Sequence, residues 1–119
     1  MLDSAQLKRF VDQSWGDEIV PTLVEYIKIP NKSPLFDPDW AAHGHMDAAV
    51  AMFAAWARGR IAGLPGATLE VVRVGERTPV IVIDIPGQAA NGDAVLLYGH
   101  LDKQPEMVGW AEGYGPCLP

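Results

Sequence analysis

Apolar positions between residues 4 and 29 fall at helical spacing. Leu7, Phe10 and Val11 share one face, and Trp15 continues it a turn later. Gly16-Asp17 interrupts the stripe. Asp17 is placed to cap a second helix, with Pro21 in its first turn, where a missing N–H does no harm. Ile19, Val20, Leu23, Val24 and Ile27 form the apolar stripe of that helix. The pattern predicts two helices, or one kinked helix, ending near Ile29-Pro30, because the residue before a proline disfavours helical backbone. Residues 31–44 are polar and turn-rich, contain Pro34 and Pro38, and predict a loop. Helical spacing returns over residues 45–62, where Met46, Ala49, Val50, Phe53, Ala57 and Ile61 repeat and Gly63 follows as a stop. Its many alanines give this helix a slim face that can pack closely.

The period then changes. Residues 68–74 and 79–85 are β-branched runs separated by Gly75-Glu76-Arg77-Thr78, which predicts a hairpin or two neighbouring strands. Residues 86–93 predict a turn. Residues 94–98, Ala-Val-Leu-Leu-Tyr, predict a third strand that is apolar throughout, as in the middle of an α/β sheet with both faces covered. Residues 103–119 predict no regular element. Helices followed by strands give an α/β or α+β class in one domain spanning residues 1–119, with a mixed sheet and any site at the carboxyl end of the third strand. A central strand needs neighbours on both edges, and few strands are supplied. The expectation is that a partner completes the sheet or that more polypeptide follows.

The third run leads directly into Gly99-His100-Leu101-Asp102. In extended backbone, residues i and i+2 point the same way, so His100 and Asp102 leave the strand end on one face. A carboxylate beside an imidazole is a common way to orient a metal-ligating histidine and raise its basicity. The plainer alternative is an imidazole hydrogen-bonded at a strand end, with Asp102 capping a turn.

Composition narrows the range of functions. Of the 119 residues, 49% are hydrophobic and 20% charged, as in a globular protein. A net charge of −6 disfavours binding to nucleic-acid phosphates. There is no basic amphipathic stretch for a membrane surface, no apolar run long enough to span a bilayer, and no signal-peptide pattern at the N-terminus. Cys117 is the only cysteine, which excludes an internal disulfide and suits a reducing cytoplasm.

The words around the His-x-Asp pair add a resemblance. Leu97-Tyr98-Gly99-His100-Leu101-Asp102-Lys103-Gln104-Pro105, followed by Gly109-Trp110, resembles the zinc exopeptidase family of aminoacylases, carnosine-type dipeptidases and succinyl-diaminopimelate desuccinylase. Tyr26-Ile27-Lys28-Ile29-Pro30-Asn31-Lys32-Ser33 is similar to that family's opening of a helix, Ile-Pro and then a serine. The Ala-rich helix and three strands are similar to its N-terminal catalytic lobe, so the likeness covers nearly the whole chain. It implies a two-zinc site that hydrolyses an amide next to a free carboxylate, on a small peptide or an N-acyl amino acid. His100 matches the first metal ligand and Asp102 the catalytic carboxylate that clamps its imidazole. The family's bridging aspartate, general-base glutamate, further acidic ligands and late histidine have no counterpart here, nor does its smaller inserted domain. The resemblance therefore implies an N-terminal fragment that supplies one direct zinc ligand and is inactive alone. The alternative is a non-catalytic module that keeps the lobe and self-associates as a homo-oligomer through its unfinished sheet.

Other residues carry weaker chemistry. His43 and His45 form a His-x-His pair near Asp47, read as loop and capping residues, although a small metal site built from His43, His45 and His100 is the competing idea. Cys117 has no predictable base beside it and is not read as a nucleophile. Trp15, Phe53 and Trp56 lie on helical stripes and are expected in the core. Trp110 and Tyr114 either line a substrate pocket or pack a loop. Lys103 either attracts a substrate carboxylate or faces solvent.

Overall fold

The computed structural model describes residues 3–87 and 92–119, and they divide into two compact units. The first comprises residues 1–30 and 106–119, the second residues 31–105.

In the first unit, helix α1 spans Ser4–Ser14 and is capped by Asp3, whose carboxylate accepts the Ala5 N–H at 2.9 Å. A π-helical turn, Trp15–Ile19, joins α1 to α2, Val20–Ile27. The predicted break therefore exists, but it is a widened turn within continuous helical backbone, and Asp17 lies inside it instead of capping a new helix. Pro21 supplies the reason. It has no N–H to offer the carbonyl four residues back, and its ring would crowd that carbonyl. The wider turn relieves the crowding, with the Val20 N–H reaching back to Trp15 O and the Thr22 hydroxyl donating to Glu18 O at 2.7 Å. Leu7, Phe10, Val11 and Trp15 are all about half exposed, so the predicted core role of Trp15 is not met. Residues 106–119 form turns. Trp110 Nε1 donates to Met107 O at 2.7 Å, and Cys117 occupies left-handed backbone (φ 60°) in the Gly115–Leu118 turn.

In the second unit, residues 31–44 are not wholly a loop. They contain a short helix α3, Trp40–His43, which Gly44 ends at φ +70°, a conformation an L side chain rarely adopts. Helix α4, His45–Ile61, follows at once, close to its predicted span. Its Met46, Ala49, Val50, Ala54 and Ala57 are the buried apolar residues among those described. Phe53 is half-buried, while Trp56 is 38% exposed and lies under the Arg60 guanidinium at 5.9 Å, a cation–π stack on the helix surface and not a core position. Strands β1, Thr68–Val72, and β2, Val80–Asp84, pair antiparallel as the predicted hairpin, with Leu69 opposite Ile83 and Val71 opposite Ile81. These four share one face by the two-residue period, and α4 packs on the hairpin. The Arg73–Asp47 ion pair at 2.8 Å ties the hairpin to the start of α4, although both groups are solvated and such a pair adds at most about 1 kcal/mol.

The predicted third strand is a correction. Residues 94–98 pair with neither β1 nor β2, and Val95, Leu96, Leu97 and Tyr98 are 88–92% exposed. Apolar content marked this run as fit for a sheet interior, but a strand forms only where a neighbouring edge accepts its ladder, and the two-stranded sheet here does not take it up. The expected turn at 86–93 lies partly outside the described residues. The described residues thus combine helices with a two-stranded antiparallel sheet, an α/β composition in the loose sense, and none of their helices is long and apolar enough to cross a membrane.

Three of the five buried apolar residues of α4 are alanines, so a larger side chain at a fully buried one must displace its neighbours. Ala54 is 1% exposed. Ala54→Leu is expected to lower stability by about 1–3 kcal/mol, read as a drop in the urea midpoint, whereas Ala55→Leu on the exposed side changes it by less than about 0.5 kcal/mol.

Candidate functional site

The site is assembled within residues 31–105 from two segments far apart in the chain. Lys32 pairs with Lys103 in an isolated parallel bridge. The Lys103 N–H donates to Asn31 O and the Ser33 N–H donates to Lys103 O, each at 2.9 Å. Asn31, 1% exposed, adds a third bond by donating Nδ2 to Leu101 O at 2.7 Å. Its side-chain Oδ1 is buried without a donor, so the side chain is held by its Nδ2 group while the main-chain O takes the Lys103 N–H.

This pairing fixes the backbone on which the His-x-Asp pair sits. His100 Nδ1 lies 2.9 Å from Asp102 Oδ1 and 3.1 Å from Asp102 O. Both oxygens accept only, so Nδ1 carries the hydrogen and Nε2 of the neutral imidazole keeps its lone pair. The expected meeting of the two side chains is therefore present, but it follows a run outside the two-stranded sheet and not the end of a sheet strand. Burial pushes the Asp102 carboxyl upward. The hydrogen bonds from His100, from the Ser33 side chain and from its own backbone N–H outweigh that and hold it below the ordinary carboxylate value. The His100 side chain is 61% exposed and that of Asp102 31%, which leaves the imidazole open to an incoming ligand and its clamp half sheltered.

Beside the pair, α4, β2 and residues 98–102 enclose a cavity of about 400 Å³. Its walls are largely apolar, with Met46, Val50, Phe53, Ile81 and Ile83 among them, and His100 and Asp102 contribute to its lining.

The other predicted residues are placed as follows. His43 closes α3 and binds the buried Asp37 at 2.9 Å, and its ring centroid is 5.9 Å from that of His45. His43 thus ends α3 and His45 begins α4, and no side chain makes a capping hydrogen bond at the start of α4. Lys103 joins the bridge through its backbone. Trp110, Tyr114 and Cys117 belong to the other unit, where Trp110 and Tyr114 are exposed and Cys117 is partly buried.

Among the described residues, no group of three or more His, Cys, Asp or Glu side chains is arranged to hold a metal ion. A catalytic zinc takes three protein ligands. Here the His100 imidazole is the one exposed candidate in the pair, and the Asp102 Oδ1 is turned toward the imidazole. These residues do not fit a complete zinc centre, and a site uniting His43, His45 and His100 is not formed. A comparison with protein-family models and with curated proteins found no match to this chain.

Asn31 was not identifiable as a site residue from sequence, and Ser33 stood out only as part of a familiar opening. Their partners lie about seventy positions away (70 for the Asn31–Leu101 bond), and no local pattern encodes such a contact.

The His43–Asp37 pair has a pH signature. The hydrogen bond to Asp37, followed by that carboxylate's charge, raises the His43 pKa above its ordinary value of 6.5, while desolvation and Lys32 oppose the rise. A folded-state pKa above the unfolded one means that the pair stabilises fully below about pH 6.5 and that this contribution is lost as pH rises through the folded value. NMR titration is expected to place His43 above 6.5 in the wild type and nearer 6.5 in Asp37→Asn, and the melting temperature of Asp37→Asn is expected to lack the loss that the wild type shows across that window.

Proposed function

We propose that this chain forms the N-terminal part of the catalytic lobe of a zinc-dependent metallopeptidase, a dipeptidase or aminoacylase-like amide hydrolase. The observation that carries the reading is the His100 imidazole, with Nδ1 held by Asp102 and Nε2 left as a lone-pair donor in an exposed position. This is the arrangement in which histidines ligate metals. In this reading Nε2 is one direct zinc ligand, Asp102 orients it, and the remaining ligands and the general base come from polypeptide beyond this chain. Zinc, once held by the full set, supplies Lewis acidity and a hydroxide at neutral pH. The substrate is a small peptide or N-acyl amino acid with a free carboxylate. The exposed run at 95–98 becomes a sheet strand when the lobe is complete, which yields the zinc-exopeptidase α/β fold with its mixed sheet. A cytoplasmic location accords with the single cysteine.

Two measurements test this. The purified 119-residue chain is expected to show no zinc-dependent hydrolysis of dipeptides or N-acyl amino acids, and turnover by it would overturn the incomplete-site reading. The coding sequence past the Pro119 codon is expected to contain a Gly-x-Gly-x-x-Asp segment and a Glu-Glu pair, and a sequence lacking both would overturn the metallopeptidase reading itself.

A second reading, a non-catalytic module that self-associates, draws on the same four nearly bare apolar residues at 95–98. It requires a concentration-dependent homo-oligomer in sedimentation velocity, converted to monomer by Leu96→Lys. A wild-type monomer at all concentrations removes it.

A further inference from the structure

We propose that His43 and His45 form a two-imidazole site for a divalent d-block cation such as copper(II) or zinc, with the buried Asp37 as the residue that orients His43.

The junction between α3 and α4 brings the two rings together. Gly44 ends α3 at φ +70° and α4 begins at His45, so the chain turns between the histidines. Their ring centroids are 5.9 Å apart and their planes are inclined at 35°. A metal–nitrogen bond of about 2 Å places each ring centre roughly 3 Å from a shared ion, so rings at this separation reach one ion with small side-chain turns.

Asp37 is a second and independent observation. It is 8% exposed, and its two carboxylate oxygens each lie 2.9 Å from His43 Nδ1. Its main chain is fixed, because its N–H donates to Ser33 O at 3.0 Å and its O accepts the Trp40 N–H at 3.1 Å. The His43 side chain is 50% exposed, so one nitrogen is held by a buried carboxylate while the rest of the ring is open to solvent. A carboxylate on the far nitrogen is the usual support of a metal-ligating histidine.

Imidazole nitrogen favours copper, nickel and zinc over magnesium and calcium, which take oxygen ligands. Asp47, two residues after His45, is bonded to Arg73 at 2.8 Å. Among the described residues no third His, Cys, Asp or Glu completes a metal-holding group. Two protein nitrogens therefore hold the ion and water fills its other positions, which makes the site exchangeable. It shares no residue with the His100–Asp102 pair and does not depend on the proposed function.

The test titrates the purified 119-residue chain with Cu²⁺ against a weak competing chelator at about pH 8, where imidazole is neutral. Copper(II) sits above zinc in the affinity order, and its EPR spectrum counts coordinated nitrogens. Melting curves check that each variant folds, and glutamine replaces alanine at either histidine where the alanine variant does not. The wild type is expected to bind one Cu²⁺ through two imidazole nitrogens. Asp37→Asn is expected to keep both nitrogens and to bind about tenfold more weakly or worse, the effect of losing an orienting carboxylate. His43→Ala and His45→Ala each lose one nitrogen and at least as much affinity, whereas His100→Ala binds as the wild type does. Wild-type copper with fewer than two imidazole nitrogens, or unchanged binding in both His43→Ala and His45→Ala, overturns the site. Unchanged affinity in Asp37→Asn overturns the orienting role, and so does an Asp37→Asn chain that fails to fold, because the carboxylate would then act on stability. Copper lost only in His100→Ala overturns the proposal and assigns the ion to the other pair.

Discussion

Three backbone and amide hydrogen bonds between residues 31–33 and residues 101–103 hold the candidate site together. The segment that carries His100 and Asp102 arrives from an extended run with no sheet partner, so its position is not inherited from the hairpin. It is set by a bridge that closes a loop of some seventy residues. Closing so long a loop costs conformational entropy, though the cost grows only with the logarithm of length. The buried Asn31 amide and the paired backbone groups offset that cost with bonds sheltered from water. His100 and Asp102 lie within two residues of this bridge.

The packing of residues 31–105 explains why such a bridge matters. The buried apolar side chains among the described residues all come from α4, and three of the five are alanines. A hairpin alone is marginal in water, and here it leans on one slim helix face. Val80, Val82, Ile83 and Ile85 of the second strand and its flank remain 43–57% exposed, and the cavity beside His100 lies between α4 and this strand. The apolar wall of that cavity and the bare run at 95–98 describe one condition: apolar surface is present in amounts that the described elements do not cover.

Much of the helix and hairpin pattern was legible in the sequence, because it depends on local periodicity. The stripe of α4 and the β-branched runs of the hairpin emerge with nearly their predicted bounds. The misses have physical causes of a different range. Pro21 does fall in the first turn of α2 as expected, but a π-helical turn runs into that helix without a break, so Asp17 does not cap it. The Asp-Pro-Asp before Trp40 and the Gly at 44 bracket α3, a helix too short for periodicity to detect but readable from its ends. Residues 94–98 have the composition of a buried strand, yet strand formation is a property of a pair of edges and not of one segment. The His100–Asp102 contact was legible because it spans two residues, whereas Asn31 and Ser33 were not, because only tertiary structure brings them there.

That difference in range bears on how a single ligand can be ready before a metal centre is whole. A histidine that must choose its tautomer and orientation on binding loses part of its affinity to that ordering. Here Asp102 offers His100 Nδ1 two acceptors, Oδ1 at 2.9 Å and its main-chain O at 3.1 Å, both within residues 31–105. Metal sites are commonly precise because a surrounding set of hydrogen bonds holds the ligands, and a surrounding set can exist where the ligand set is incomplete. Under the proposed function, the His100–Asp102 pair would be the orienting half of a metal site, while the charge-bearing half, carboxylates that could share an ion with His100, is not assembled among the described residues. These two halves are separable because they answer to different forces. Orientation is a matter of short hydrogen bonds along one bridge, and charge is a matter of how many anionic ligands converge on one point.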